Sequence, residues 1–118
     1  MILQVTLPWP NKVLSPNSRA HWRARHAAAK SYKHTAWVMA KHSMGRREAP
    51  SEGALTVRLT FCPPNAIRRD VDNMLASMKA ALDGIALALG VDDSRFRYEL
   101  SRESPLKGGR VVVTVEAA

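Results

Sequence analysis

The sequence predicts a two-layer α/β (α+β) fold in which two helices cover one face of a mixed β-sheet. Three observations indicate this class: four segments with the alternation or β-branching of strands, two long helical segments, and the order β-α-β-α-β-β in which they occur. The chain has 118 residues, which suits one domain around one hydrophobic core. We therefore assign residues 1–118 to a single domain.

The strand predictions rest on alternation and on the residues that interrupt it. Residues 2–7 alternate between apolar and polar side chains, and Pro8 ends the segment. Residues 54–62, ALTVRLTFC, alternate most regularly and stop at Pro63. Two further strands are predicted in RFRYELSRE and RVVVTVE, and the turn-like SPLKGGR between them predicts that they form a hairpin.

Residues 19–44 are rich in Ala and contain neither Gly nor Pro, which favours a long first helix with Asn17 or Ser18 as its N-cap. Three- and four-residue steps divide this helix into a cationic face and a less polar face. The cationic face comprises Arg19, Arg23, His26, Lys30, Lys33, His34, Trp37 and Lys41, and the less polar face comprises Trp22, Ala29, Tyr32, Ala36, Met39 and Ala40.

The charge distribution indicates a polyanionic partner. The net charge is +8, and nine Lys or Arg residues precede Glu48, the first acidic residue. A solvated surface helix is the plain alternative, but such helices usually mix the two signs. We therefore interpret the cationic face as a surface for the DNA backbone. The candidate phosphate contacts are Arg19, Arg23, Lys30, Lys33, Arg68 and Arg69.

Other features bear on the cellular compartment. Cys62 is the only cysteine, which excludes an internal disulfide and agrees with a reducing environment. No apolar run approaches the ~18 residues of a membrane span, and the N-terminal residues lack the pattern of a signal peptide. We expect a cytoplasmic protein that does not enter membranes.

The second helical segment carries the acidic residues. We predict one continuous helix over residues 71–89, ending at Gly90, with Asp72 and Lys79 together on a side face. The predicted core stripe is Val71, Leu75, Met78, Leu82, Ile85 and Leu89.

Asp70 and Asp72 form the candidate metal site. In a helix their side chains would diverge by roughly 160°, whereas an extended backbone places residues i and i+2 on one face. We therefore expect Asp70 in an extended segment before the helix and Asp72 near the N-cap, with converging carboxylates. Such a hard oxygen site with open water positions suits Mg²⁺, for which Mn²⁺ can substitute. The simpler alternative is a capping aspartate with an incidental acidic neighbour.

Several motifs together resemble the RusA family of Holliday junction resolvases. They are LPWP, SPNSRAHW, RRDVDN, the lysine of KAALDG, GVDD and the terminal KGGR. The resemblance implies a homodimeric, Mg²⁺-dependent endonuclease, bacterial or phage-encoded and often carried by prophages. Such an enzyme resolves four-way DNA junctions by paired symmetric nicks during recombination and repair. It implies Asp70, Asp72 and Asp93 as the catalytic and metal-binding acids, and Lys79 as the active-site lysine.

Two points qualify the site. Lys79 follows Asp72 by seven residues, whereas the lysine of a familiar family member follows by four; both offsets fall on one side of a helix. The alternative for Lys79 is an ion pair with Asp83, four residues later on the helix. A helix over residues 72–89 would be about 27 Å long, and the next four residues reach only about 14 Å, so we expect Asp93 to lie far from Asp72. We therefore predict a metal site shared across a twofold axis, with Asp70 and Asp72 from one subunit and Asp93 from the other.

Two other functions remain open at the level of sequence. One is a non-enzymatic DNA-binding phage accessory protein, in which the aspartates only cap a helix. The other is a metal nuclease that acts on other branched DNA and uses the same residues.

Overall fold

The computed structural model describes all residues, 1–118, and confirms the order of elements with one difference, because the second helical segment is divided in two. The strands are β1 (Leu3–Pro8), β2 (Leu55–Cys62), β3 (Phe96–Arg102) and β4 (Arg110–Ala117); the helices are α1 (Trp22–Met44), α2 (Val71–Ser77) and α3 (Lys79–Leu89). Short 3-10 turns occupy Lys12–Leu14 and Asp93–Arg95. None of the helices combines the length and the apolar character that crossing a membrane requires.

The strands form one mixed sheet in the order β1-β4-β2-β3. Strand β4 is antiparallel to both β1 and β2, whereas β3 is parallel to β2. The predicted β3–β4 hairpin is therefore wrong. The chain after β3 does not turn back on that strand, because its backbone bonds to the end of β2: Glu103 N–H donates to the carbonyl of Phe61 at 2.9 Å, and Leu106 N–H donates to that of Pro63 at 2.8 Å.

Alternation along the strands places one face of the sheet against the helices, as predicted for β1 and β2. The inward residues are Leu3, Val5 and Leu7 in β1, Leu55, Val57, Leu59 and Phe61 in β2, and Val111, Val113 and Val115 in β4, all of them buried. Strand β3 is an edge strand, and only Phe96 of its inward residues is buried. Tyr98 and Leu100 remain 41% and 37% exposed.

Helix α1 begins three residues later than predicted. Its N-cap is His21, whose Nδ1 accepts a hydrogen bond from the backbone N–H of Arg23 at 3.1 Å; neither Asn17 nor Ser18 serves as the cap. Ser18 Oγ instead accepts from the N–H of Ala20 and closes a turn before the helix. Trp22 was assigned to the less polar face but is 65% exposed, because the first turn of α1 extends beyond the core.

Helices α1 and α3 pack closely at a point without a side chain. A Cβ atom on Gly84 would collide with the backbone carbonyl of Lys33 and would lie 3.2 Å from the backbone nitrogen of Trp37. Only Gly permits this approach. Small residues on both helices, Ala36 and Ala81 among them, are completely buried near this level of the core.

The predicted continuous helix over residues 71–89 is interrupted at Met78, whose backbone (φ −90°, ψ −3°) separates α2 from α3. Ser77 Oγ donates to the carbonyl of Asn73 at 2.8 Å, a bond of a type that tends to bend helices. The core stripe derived for one straight helix is therefore wrong at its start. Val71 is 43% exposed and Leu75 is half-buried, whereas Met74 occupies the core.

Candidate active site

Asp70 stands where the extended segment after β2 enters α2. Its backbone is extended (φ −78°, ψ 129°), as predicted, and it is itself the N-cap of the helix. Its Oδ1 accepts a hydrogen bond from the backbone N–H of Asp72 at 2.9 Å. Asp72 lies in the first turn of α2, and its carboxylate makes no hydrogen bond within the protein. Both side chains are exposed, and Oδ2 of Asp70 is free for a ligand.

Lys79 begins α3 and is held between two carboxylates. Its Nζ lies 2.7 Å from Oδ1 of Asp83 and 3.1 Å from Oδ2 of Asp93. The hydrogen bond to Asp83 and, to a smaller extent, the hydrogen bond to Asp93 raise the pKa of the Lys79 ammonium group. Lys79 is therefore a fixed positive charge. The expectation that Asp93 lies at the end remote from Lys79 is wrong, because the chain after α3 folds back until Asp93 reaches Lys79. The alternative ion pair of Lys79 with Asp83 is present.

Asp92 and Asp93, in the turn after α3, make different contacts. Oδ1 of Asp92 accepts a hydrogen bond from the backbone N–H of Ser94 at 2.8 Å and so caps the 3-10 turn. This bond and, to a smaller extent, a bond with the Ser94 hydroxyl lower the pKa of Asp92. Arg95 fastens the turn to the loop before β2 through the carbonyls of Pro50 and Gly53, at 2.7 and 2.8 Å. Asp92 is engaged in the turn, and Asp93 is the one of the two that contacts Lys79.

The acidic residues do not all converge within one chain. No group of three or more His, Cys, Asp or Glu side chains lies close enough to hold one metal ion. Asp70 and Asp72 lie together at the start of α2, whereas Asp93 is engaged with Lys79. The donor chemistry of Asp70 and Asp72 nevertheless fits Mg²⁺, which is commonly bound by one or two carboxylates and retains several waters.

Two adjoining clefts reach Asp70 and Lys79, whereas Asp72 and Asp93 line neither of them. A cleft of about 670 Å³ includes Asp70, and a second cleft of about 510 Å³ includes Lys79 and Asp83; Ser77 lines both. Sequence reasoning did not select most residues of the first cleft as site residues. Its walls include Trp9, Asn11, Lys12, Asn17 and Asn73. Trp9, Asn17 and Asn73 belong to the motifs LPWP, SPNSRAHW and RRDVDN that carry the family resemblance, which is the one sequence signal for them; Asn11 and Lys12 belong to none of these motifs.

Five of the six predicted phosphate contacts are exposed, and the sixth, Arg69, is bound within the protein. Arg19, Arg23, Lys30 and Lys33 are exposed, the last three of them on α1 as predicted. Arg68 is exposed at the wall of the first cleft.

Arg69 is held firmly by the protein. It donates to the side-chain and backbone oxygens of Asn65 at 2.8 and 3.1 Å and to the carbonyl of Ile67 at 2.9 Å, and its guanidinium lies 5.4 Å from the centre of the Trp9 ring. Arg25, which was not among the candidate contacts, lines the second cleft with His26.

Comparison with known proteins identifies one relative. The chain is 44% identical over 113 residues to a protein of Xylella fastidiosa (strain Temecula1) that bears the name "Uncharacterized protein"; the match covers 94% of this chain and 74% of the relative. No family model matches the chain. At this identity and coverage, the chain belongs to the same family as the Xylella protein.

Proposed function

We propose that this member of the family is a Mg²⁺-dependent endonuclease of the RusA type that resolves four-way DNA junctions by paired symmetric nicks. The observation that carries the proposal is the pair of adjoining clefts, one lined by Asp70 and the other by Lys79, with Asp72 exposed in the first turn of α2 next to Asp70. Carboxylates exposed on a protein of net charge +8 would repel DNA unless a cation accompanied them. A bound divalent cation removes that repulsion.

Asp70 and Asp72 would hold the Mg²⁺. The ion would supply charge stabilisation at the scissile phosphate and a water of lowered pKa as the nucleophile. Asp70 is suited to the role because only one of its oxygens is used by the cap, and that hydrogen bond fixes the carboxylate at the start of α2. Asp72 keeps both oxygens free.

Lys79 stabilises the negative charge that develops on the phosphate during cleavage. Its ammonium group is held in place before the substrate binds, because Asp83 and Asp93 fix it with hydrogen bonds of 2.7 and 3.1 Å. Charge that is positioned in advance stabilises a transition state without reorganisation. Arg68 and the exposed cations of α1 bind the DNA backbone on either side of the clefts.

A second copy of the chain would complete the site. Strand β3 has an unpaired edge, and its inward residues Tyr98 and Leu100 are substantially exposed. Antiparallel pairing of β3 with its copy about a twofold axis would cover these side chains and join the two sheets. It would also set the Asp93 end of one β3 beside the Arg102 end of the other. Arg102 hydrogen-bonds to the carbonyl of Arg69, directly before Asp70, so the partner subunit's Asp93 would approach Asp70 and Asp72.

The activity is tested with a four-way junction and a linear duplex of the same sequence, each with Mg²⁺ or with EDTA. The proteins are the wild type, Asp70→Asn, and Gln4→Ala, which changes an exposed side chain on the open face of the sheet. We expect paired nicks in the junction only, with Mg²⁺ only, from the wild type and Gln4→Ala. Asp70→Asn should bind the junction without cutting it.

The result also distinguishes the other two functions. Binding without cleavage by the wild type would indicate a DNA-binding module, and cleavage of flaps in preference to junctions would indicate a nuclease for other branched DNA. Cleavage that persists in EDTA would refute the role of the metal.

The shared site is tested by mixing subunits. Asp70→Asn and Asp93→Asn should each be inactive alone. If one site draws on both subunits, a mixed dimer contains one intact site, and an equal mixture should recover about one quarter of the wild-type sites. If each site lies within one subunit, every site in the mixture remains defective. Absence of recovery from a mixture that does form mixed dimers would therefore refute the shared site.

A further inference from the structure

The first cleft is large for a site that only contacts a phosphate. Its volume of about 670 Å³ falls within the range of ~300–1,000 Å³ that is typical of pockets for whole small molecules. We propose that it receives one unstacked nucleotide of the DNA next to the scissile phosphate. This inference rests on the proposed nuclease function and adds a site for the nucleobase.

The aromatic wall of the cleft is rigid. Trp9 packs edge-on against the buried Phe61, with 6.1 Å between ring centres and 74° between ring planes. Gly109 packs closely against the same wall. A Cβ atom at this position would lie 3.0 Å from Trp9 Cβ and 3.0 Å from Pro64 Cδ. Arg69, held by Asn65, lies over the Trp9 ring. An indole and a guanidinium fixed in this way offer planar surfaces on which a base can stack.

The polar wall suits the edge of a base. Asn17 and Asn73 line the cleft, and neither side-chain amide makes a hydrogen bond within the protein. Asn11 uses its Oδ1 to accept from the N–H of Val13, which leaves its NH₂ group free. Each amide offers neutral donors or acceptors, the groups that pair with base edges, whereas phosphate selects cations. Lys12 and Arg68 in the same cleft supply cations for the adjoining phosphates.

The position of the cleft relates the base to the cut. Asp70 lines it directly, and Ser77 connects it to the second cleft with Lys79. A nucleotide seated against Trp9 would therefore carry its phosphate to the proposed metal ligands. Removing a base from a stack is least costly where stacking is already interrupted, and the branch point of a junction is such a place.

The test uses a series of four-way junctions in which one nucleotide near the branch at a time lacks its base. Two quantities are measured for the wild type, Trp9→Leu, Asn17→Ala and the control Gln4→Ala: the cleavage rate with Mg²⁺, and the affinity in EDTA from the anisotropy of a labelled junction. Circular dichroism checks the fold of Trp9→Leu, and Asn17→Ala serves if that variant unfolds.

For the wild type and Gln4→Ala, we expect one abasic position to weaken binding and slow cleavage by about tenfold. Trp9→Leu and Asn17→Ala already lack part of the base site. In these variants the same abasic position should change the affinity and the cleavage rate by about twofold or less. If the wild type bound every abasic junction as tightly as the intact junction, the nucleotide site would be refuted. Failure to cleave any intact junction would instead refute the nuclease function, and the affinities in EDTA would still decide whether the cleft takes a base.

Discussion

Gly84 offers a direct test of how the two helices are held together. Replacing a helical Gly by Ala normally stabilises a protein by about 1 kcal/mol, because Ala has the higher helix propensity. At Gly84 the new Cβ would meet the carbonyl of Lys33, a backbone atom that cannot turn aside. Helices α1 and α3 would have to separate, and overpacking of this kind costs about 1–3 kcal/mol.

The obstacle is backbone, so the upper end of that range applies, and the net loss in free energy of unfolding should be about 2 kcal/mol. At about 4 °C per kcal/mol for a domain of this size, Gly84→Ala should lower the Tm by about 8 °C. Thermal unfolding by far-ultraviolet circular dichroism measures the change. Leu87→Ala is the matched control, because Leu87 lies on the same helix, is 60% exposed and should change stability little. An unchanged or higher Tm for Gly84→Ala would refute the close approach of the helices.

Three further predictions concern single side chains. Tyr32→Phe removes a 2.7 Å hydrogen bond from the hydroxyl to the carbonyl of Pro8 and should cost about 1 kcal/mol near neutral pH. Burial raises the pKa of Tyr32, so wild-type stability should fall above the ordinary tyrosine pKa of about 10, where the unfolded chain ionises first; denaturant titrations across that range should show a smaller fall for Tyr32→Phe. Lys79→Ala should reduce junction cleavage by about 100-fold with little loss of binding, and Asp83→Asn should reduce it by about tenfold; equal rates for all three proteins in single-turnover assays would contradict the role of Lys79. Arg58→Ala removes exposed ion pairs with Glu99 and Glu116 on the open face of the sheet and should leave the urea concentration at the midpoint of unfolding almost unchanged.

Local patterns were sufficient for much of the fold. Alternation identified β1 and β2 and their buried faces, and the spacing of cations along α1 identified its exposed side. These features depend on side chains a few residues apart, which respond to the same local geometry. The extended backbone at Asp70 was predictable for the same reason.

The structural predictions failed where contacts between segments far apart in the sequence determine the structure. The turn-like composition of SPLKGGR favoured a hairpin, but the backbone beyond β3 bonds to the end of β2, and β4 pairs with strands far away in the chain. Helical periodicity assumes a straight axis, so the break at Met78 displaced the predicted core stripe. The contact between Lys79 and Asp93 depends on the turn after α3, which Arg95 anchors and which a distance estimate from the helix alone does not include.

The central position of β4 has a consequence for how the protein forms the first cleft. Strand β1 has no partner in the sheet other than β4, and β4 is also the antiparallel neighbour of β2. The segment that carries Trp9 follows β1, and the segment that carries Asp70 follows β2, so β4, which comes after both segments in the chain, joins the two walls of the first cleft within the sheet. Contacts of such long sequence separation form slowly. A newly made chain should therefore gain helical structure well before the first cleft is complete, and a nascent chain still lacking β4 would present the cations of α1 beside an unfinished cleft.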